Sequence, residues 1–360
     1  MTRFDGLDRV RAAAMLLGVA YHATYAFVPD IGPWFPVQAH STWSGFAVIA
    51  AVLHAVRMPV FFTLSGFFAA LVMERRRGAF LRDRFKRLLV PFFVALPVTV
   101  TADVCLRRAS IAQHTMDPSY AGQGEWLFRP LHLWFLEYLF LFCILAWLLA
   151  ATRVTVRLHS ALKTPEVLLA GSAVTAAGVL MFGEPQPAFS FVPSLSAVTS
   201  FAPFFGLGWA LYRSREAATV LQRRGWWMAL ASFALCLFVF TRPLQWQPVG
   251  QALAALAAWL MVLGVMGPAM KPGARAPGAL VQSAYWVYLV HHPLVFLGQV
   301  LVAKQAWPAG IAYGAVVLGV FAVSFGSFML LVRFTPLAPW VGAKRVSFGP
   351  RADVSQRNMS

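Results

Sequence analysis

The chain has 360 residues, 59% of them hydrophobic and 12% charged, with a mean hydropathy of +0.66. A soluble domain carries roughly a quarter charged residues, so a freely soluble globular body is excluded. The formal net charge of +17 does not point to nucleic acid, because Lys and Arg fall in separated short segments rather than in one basic face.

Apolar stretches recur along the whole chain, many of them near the length of about 20 residues that crosses a hydrocarbon core about 30 Å thick. Taken in order, the expected spans are about 9–28, 46–73, 88–104, 131–152, 166–182, 197–212, 226–241, 249–267, 280–302 and 310–332. The fifth and sixth are the weakest, being short and interrupted by Gly and Pro. The first is too long for a signal-peptide core and is expected to be retained. The expected fold is an all-α integral membrane protein of about ten transmembrane helices. Residues 1–335 form one transmembrane domain, and 336–360 form a polar, basic tail expected to be disordered.

The connecting segments alternate in charge. The N-terminal segment and every second connection after it, together with the tail, hold 24 of the 30 basic residues. The intervening connections hold Arg107, Arg108, Arg129, Arg242 and Lys304, and Arg57 falls inside a span. The positive-inside rule therefore places both termini in the cytoplasm, which an even number of spans also requires. Cys105, Cys143 and Cys236 have no disulfide or metal spacing and are expected as core residues.

Ionisable residues inside spans are costly and usually mark function. Here they include His22, His54, Arg57, Glu137, His291 and His292. With a rise of about 1.5 Å per residue, all lie about 9–17 Å below the outer ends of their helices. Four helices thus place polar groups in one layer, where they would line a cavity if their faces converge.

The first helix carries a second signal. Arg11 and His22 are eleven residues apart, which puts them on one face and about 16 Å apart along the axis. Met15 and Gly18 lie between them, and Gly18 is expected to leave space for a thin chain. A cation at one end of a groove and an imidazole deep within it suit a long donor with an anionic head and a reactive tip.

The segment GLDRVRAAAMLLGVAYH, with Arg and His separated by ten residues, resembles the signature of the membrane acyltransferase-3 family. HAVRMPVFFTLSGFF, RDRFKRLLVP, HLWFLEYLF and YWVYLVHHPLVF resemble further segments of that family, in the same order. The phrases LHAVRMPVFF and PLHLWFL are similar to members that succinylate periplasmic glucans. The resemblance implies ten helices in a bacterial inner membrane. It implies transfer of an acyl group, succinyl or acetyl, from cytosolic acyl-coenzyme A to hydroxyl groups of a periplasmic carbohydrate. Acyl-CoA would be a substrate rather than a tightly bound cofactor, and no metal is implied. The partners expected are acyl-CoA, a cell-envelope glycan and lipid. Self-association is left open.

His22 is the catalytic candidate, either as general base or as acyl carrier. Arg11 is assigned to the phosphates of coenzyme A, and so are Arg84 and Arg87, an Arg-x-x-Arg pair matching the family's second basic motif. Arg57 either pairs with Glu137 or receives the distal carboxylate of a succinyl group. Glu137 is the candidate for orienting His22. His54 and His291 are cavity-lining candidates, and His292 precedes Pro293, where the ninth helix should kink and open backbone carbonyls. Trp34, Trp43, Trp126 and Trp134 are candidates for stacking on sugar rings. A transporter would use the same polar cavity, but no internal repeat of the kind transporters often carry is visible between the halves.

Overall fold

The computed structural model describes residues 4–30, 37–113, 129–150, 166–184, 191–242, 244–271, 278–341 and 343. Ten α-helices lie among them: α1 (Asp5–Thr24), α2 (Gly45–Arg75), α3 (Phe80–Ala112), α4 (Trp134–Leu149), α5 (Glu166–Phe182), α6 (Leu195–Arg213), α7 (Arg215–Thr241), α8 (Pro248–Ala269), α9 (Ala279–Val302) and α10 (Ala309–Leu330). Each corresponds to one of the apolar runs, and the described residues contain no strand. Seven of the ten are long and apolar enough to cross a membrane, so the chain is a multi-pass membrane protein. The exceptions have physical causes. The first turns of α1 hold Asp5, Asp8, Arg9 and Arg11, and the apolar parts of α5 and α7 are only Leu168–Phe182 and Gly225–Thr241. The sixth helix, expected to be weak, does qualify.

The largest departure from expectation is α3. It runs 33 residues, about 50 Å at 1.5 Å per residue, and carries Arg107 and Arg108 on its last turns rather than in a connecting loop. A helix needs no break there, because Arg107 finds Asp103 one turn back: Nε donates to Oδ2 at 2.6 Å, with both residues buried.

Helix α1 packs against α2 and α9 and also touches α8 and α10, which places it at the centre. Helix α2 lies along α6, and the crossing is built from two glycines. A Cβ on Gly66 would strike the Phe205 carbonyl, and one on Gly208 would strike the Thr63 carbonyl. Small residues let two backbones touch where lipid offers no hydrophobic drive to hold them together. The main core, centred on Phe62, Leu64, Leu136, Tyr138 and Phe204, continues past residue 335, since Ala338, Val341 and Ala343 are buried in it. The packed body therefore extends beyond the expected boundary at 335, and most of the expected tail lies outside the described residues.

Candidate active site

Two cavities lie along α1. The larger, about 240 Å³, is lined by Asp8, Arg11 and Met15 of α1, by Arg84 and Arg87 of α3, and by Ser65, Gln282 and Tyr285. The second, about 150 Å³, is lined by Tyr21, His22 and Tyr25, by His54 and Arg57, and by His132, His291, His292 and Gln299. Phe61, Phe135 and Tyr288 line both. They form a shared aromatic wall between a basic vestibule and an imidazole chamber. The single groove expected from the Arg11–His22 register is thus two cavities in line, separated by three side chains.

In the vestibule, Arg11 pairs with Asp8 at 3.0 Å and lies over the Phe68 ring at 5.4 Å. Arg84 has a buried Nε with no hydrogen-bond partner, and its guanidinium lies 5.9 Å from the Phe80 ring centre. Arg87 is exposed, and its carbonyl accepts from the Tyr285 hydroxyl at 2.9 Å, tying α3 to α9. The three arginines converge from two helices, α1 and α3, onto one opening, which fits a ligand bearing several negative charges. Cys143 also lines this cavity, whereas Cys105 is exposed rather than in the core.

In the chamber, four imidazoles form a closed ring. Centroid distances are 5.3 Å from His22 to His291, 5.0 Å from His291 to His132, 4.9 Å from His132 to His292 and 5.3 Å from His292 to His22. Two of these rings are held by backbone. His291 Nδ1 lies 2.7 Å from the Tyr288 carbonyl, and His132 Nε2 lies 3.3 Å from the Leu289 carbonyl. A carbonyl oxygen only accepts, so each of these nitrogens carries its hydrogen and the other nitrogen of each ring keeps its lone pair. Those nitrogens, His291 Nε2 and His132 Nδ1, are buried without a partner. Pro293 explains why the Leu289 carbonyl is available. The ring of proline supplies no N–H to the residue four before it, and the expected opening of helix backbone at this point takes the form of that one carbonyl.

Arg57 is 8% exposed, stands over the Tyr21 ring at 4.6 Å, and reaches Gly18 of α1. A Cβ on Gly18 would come within 2.6 Å of Arg57 Nη1 and 3.7 Å of His291 Nε2. The space that Gly18 was expected to keep open is therefore filled by a guanidinium. Among the described residues no carboxylate pairs with Arg57, and the expected Arg57–Glu137 pair is absent. Glu137 is half-buried and lines neither cavity, so the structure does not bring it to His22. His54 does line the chamber, stacked on Tyr21 at 5.3 Å. Trp134 lines it too but is buried, Trp43 is exposed, and Trp34 and Trp126 lie outside the described residues.

Several chamber residues are not singled out by the sequence. His132 sits at the head of α4, preceded by Leu131 at φ 48°, a left-handed backbone that costs a non-glycine residue roughly 1–2 kcal/mol. Asp103, Arg107, Tyr288 and Gln299 also line the chamber, and Gln299 Nε2 donates to the His22 carbonyl at 3.0 Å. Only Pro293, with its missing N–H, hinted that a donor would be needed nearby.

The acyltransferase domain model of the acyltransferase-3 family matches residues 4–332. The chain belongs to that family. The matched region covers the vestibule arginines and all four chamber histidines. Among curated proteins it is similar to the glucans biosynthesis protein C of Salmonella paratyphi B and to that of Salmonella heidelberg. Both are 30% identical over 93 residues, 26% of this chain. The chain spans only 23% of the length of these relatives. No solved structure matches this acyltransferase.

Proposed function

We propose that this acyltransferase takes a succinyl or acetyl group from acyl-coenzyme A on the cytosolic side of a bacterial inner membrane and delivers it to hydroxyl groups of a periplasmic carbohydrate, such as a glucan. Ten helices span the membrane in this reading, with both termini in the cytoplasm. The observation that carries it is the placement of a three-arginine vestibule and a four-histidine chamber along α1, with Phe61, Phe135 and Tyr288 lining both.

Arg11, Arg84 and Arg87 hold the phosphates, for which planar guanidinium donors suit paired oxygens. The thin pantetheine arm displaces the aromatic wall and brings the thioester to the chamber. Arg11 and His22 are about 16 Å apart along the helix, a span for the arm rather than for the nucleotide. His22 then acts as general base or receives the acyl group. Arg57 favours an acyl group with a distal carboxylate, because no carboxylate of the described residues occupies it. The name of the glucan-biosynthesis relatives supports a glucan acceptor.

The test is membranes containing the protein, supplied with radiolabelled succinyl-CoA or acetyl-CoA and periplasmic glucans. Label should enter the glycan, and His22→Ala should abolish it. Equal labelling with H22A would overturn the role given to His22, and no labelling by the unaltered protein would overturn the reading.

A further inference from the structure

We propose that His291 is a catalytic residue, the base that takes the proton from the acceptor hydroxyl while His22 serves as the acyl carrier; this deepens the acyl-transfer reading and rests on it. A general base needs a lone pair of fixed direction facing the reacting atoms and a second contact that holds the ring. His291 meets both conditions. Its Nδ1–H donates to the Tyr288 carbonyl at 2.7 Å, which commits the tautomer and leaves the lone pair on Nε2. That nitrogen is buried and without a partner, on a residue 1% exposed.

The direction of Nε2 selects His291 over the other imidazoles. It faces Gly18, at the same point of α1 that Arg57 Nη1 reaches, and the His22 ring is 5.3 Å away. His132 has an equally fixed tautomer, but its ring is stacked on His292, 4° from parallel at 4.9 Å, and its fixed nitrogen is tied to α9 rather than to α1. His54 is stacked on Tyr21. His291 offers a fixed lone pair beside the Arg57 guanidinium, which is able to hold the negative charge that develops on an acyl oxygen when the acyl group has no distal carboxylate to occupy it.

In the step, the acceptor oxygen bonds to the acyl carbon while its O–H proton passes to His291 Nε2. The bond from that carbon to the His22 nitrogen that carries the group breaks. The departing nitrogen keeps the electron pair and takes the proton from Nε2, so both imidazoles return to their starting forms.

The variant that separates chemistry from structure is His291→Asn. Its amide N–H replaces Nδ1–H toward the Tyr288 carbonyl, and nothing replaces Nε2. Full-length protein in nanodiscs receives acetyl-CoA with ethanol, trifluoroethanol or hydroxylamine, acceptors small enough for a chamber of about 150 Å³. H291N is expected to lower transfer to ethanol by 10²-fold or more, the usual scale of general-base catalysis. The loss should shrink with trifluoroethanol, whose proton leaves more readily, and with hydroxylamine, which attacks through a free lone pair. Equal losses with all three acceptors, or no loss with ethanol, would overturn the proposal. If H291N does not fold, H291Q is used, and failure of both to fold assigns His291 to structure and equally overturns it. Transfer to none of the acceptors by the unaltered protein would instead bring down the acyl-CoA reading on which this one stands.

Discussion

His132 donates to the Leu289 carbonyl across 3.3 Å, supplying the hydrogen bond that Pro293 withholds from its own helix. The Tyr288 hydroxyl returns the contact by donating to the His132 carbonyl at 3.0 Å. The head of α4 is thus fastened to α9 beside Pro293 by two bonds. Replacing His132 by Ala leaves a buried carbonyl unmet, at a cost of about 1–3 kcal/mol. The thermal midpoint of the purified protein in detergent should fall, and H132Q, which keeps a donor, should recover part of the loss. A midpoint unchanged by H132A would show that the proline break needs no partner.

The vestibule makes a different prediction. Arg84→Ala and Arg87→Ala should each weaken coenzyme A binding by about 1.5–3 kcal/mol, the worth of a hydrogen bond to a charged group. That corresponds to roughly ten- to a hundredfold in affinity. Thermal stabilisation by coenzyme A, titrated with each variant, measures it. Free pantetheine, which lacks the nucleotide phosphates, should bind the variants and the unaltered protein alike. Equal losses for both ligands would place these arginines away from the phosphates.

Gly18→Ala tests the contact between α1 and α2. The added Cβ would lie 2.6 Å from Arg57 Nη1, so the guanidinium must move. Acyl transfer should drop at least tenfold, since a displacement of about 1 Å in a reacting group costs up to 10²-fold. Coenzyme A binding at the far end of α1 should stay within about twofold of normal, because Arg11 lies about two helical turns away. Loss of coenzyme A binding would mean that the substitution disturbs the whole helix.

The buried Asp103–Arg107 pair predicts an asymmetry between single and double variants. Asp103→Ala strands a cation inside the protein and should destabilise it by about 3–5 kcal/mol. Asp103→Leu combined with Arg107→Met removes both charges at similar volume and should cost far less. Chemical denaturation of the two proteins compares them. If the double variant is as unstable as the single, the pair does more than neutralise itself.

The sequence revealed the helices and one line of the site. Apolar runs mark the ten helices, seven of them long and apolar enough to cross a membrane, and the Arg11–His22 register is visible because both residues share one helix. Contacts between helices leave no such trace. His132 stood inside a recognised phrase, yet its task depends on a carbonyl 157 positions away. Arg107 resembled a loop cation because its partner Asp103 lies within an apolar run and only three dimensions show them buried together. Glu137 shared the depth of the other polar groups, but depth fixes one coordinate only, and the rotation of α4 turns it elsewhere. Gly18 was read as empty space for the same reason, since the side chain that fills it belongs to α2.

The wall of Phe61, Phe135 and Tyr288 has a consequence apart from chemistry. A vestibule and a polar chamber stacked along one helix would, if joined, hold a continuous file of water, and four imidazoles are good conductors of protons. Such a pore would discharge the electrochemical gradient of the membrane around it. On the proposed reading three aromatic rings would keep the file broken at rest, and an acyl donor threaded between them would act as a stopper, so the molecule would reach across the bilayer without becoming a leak.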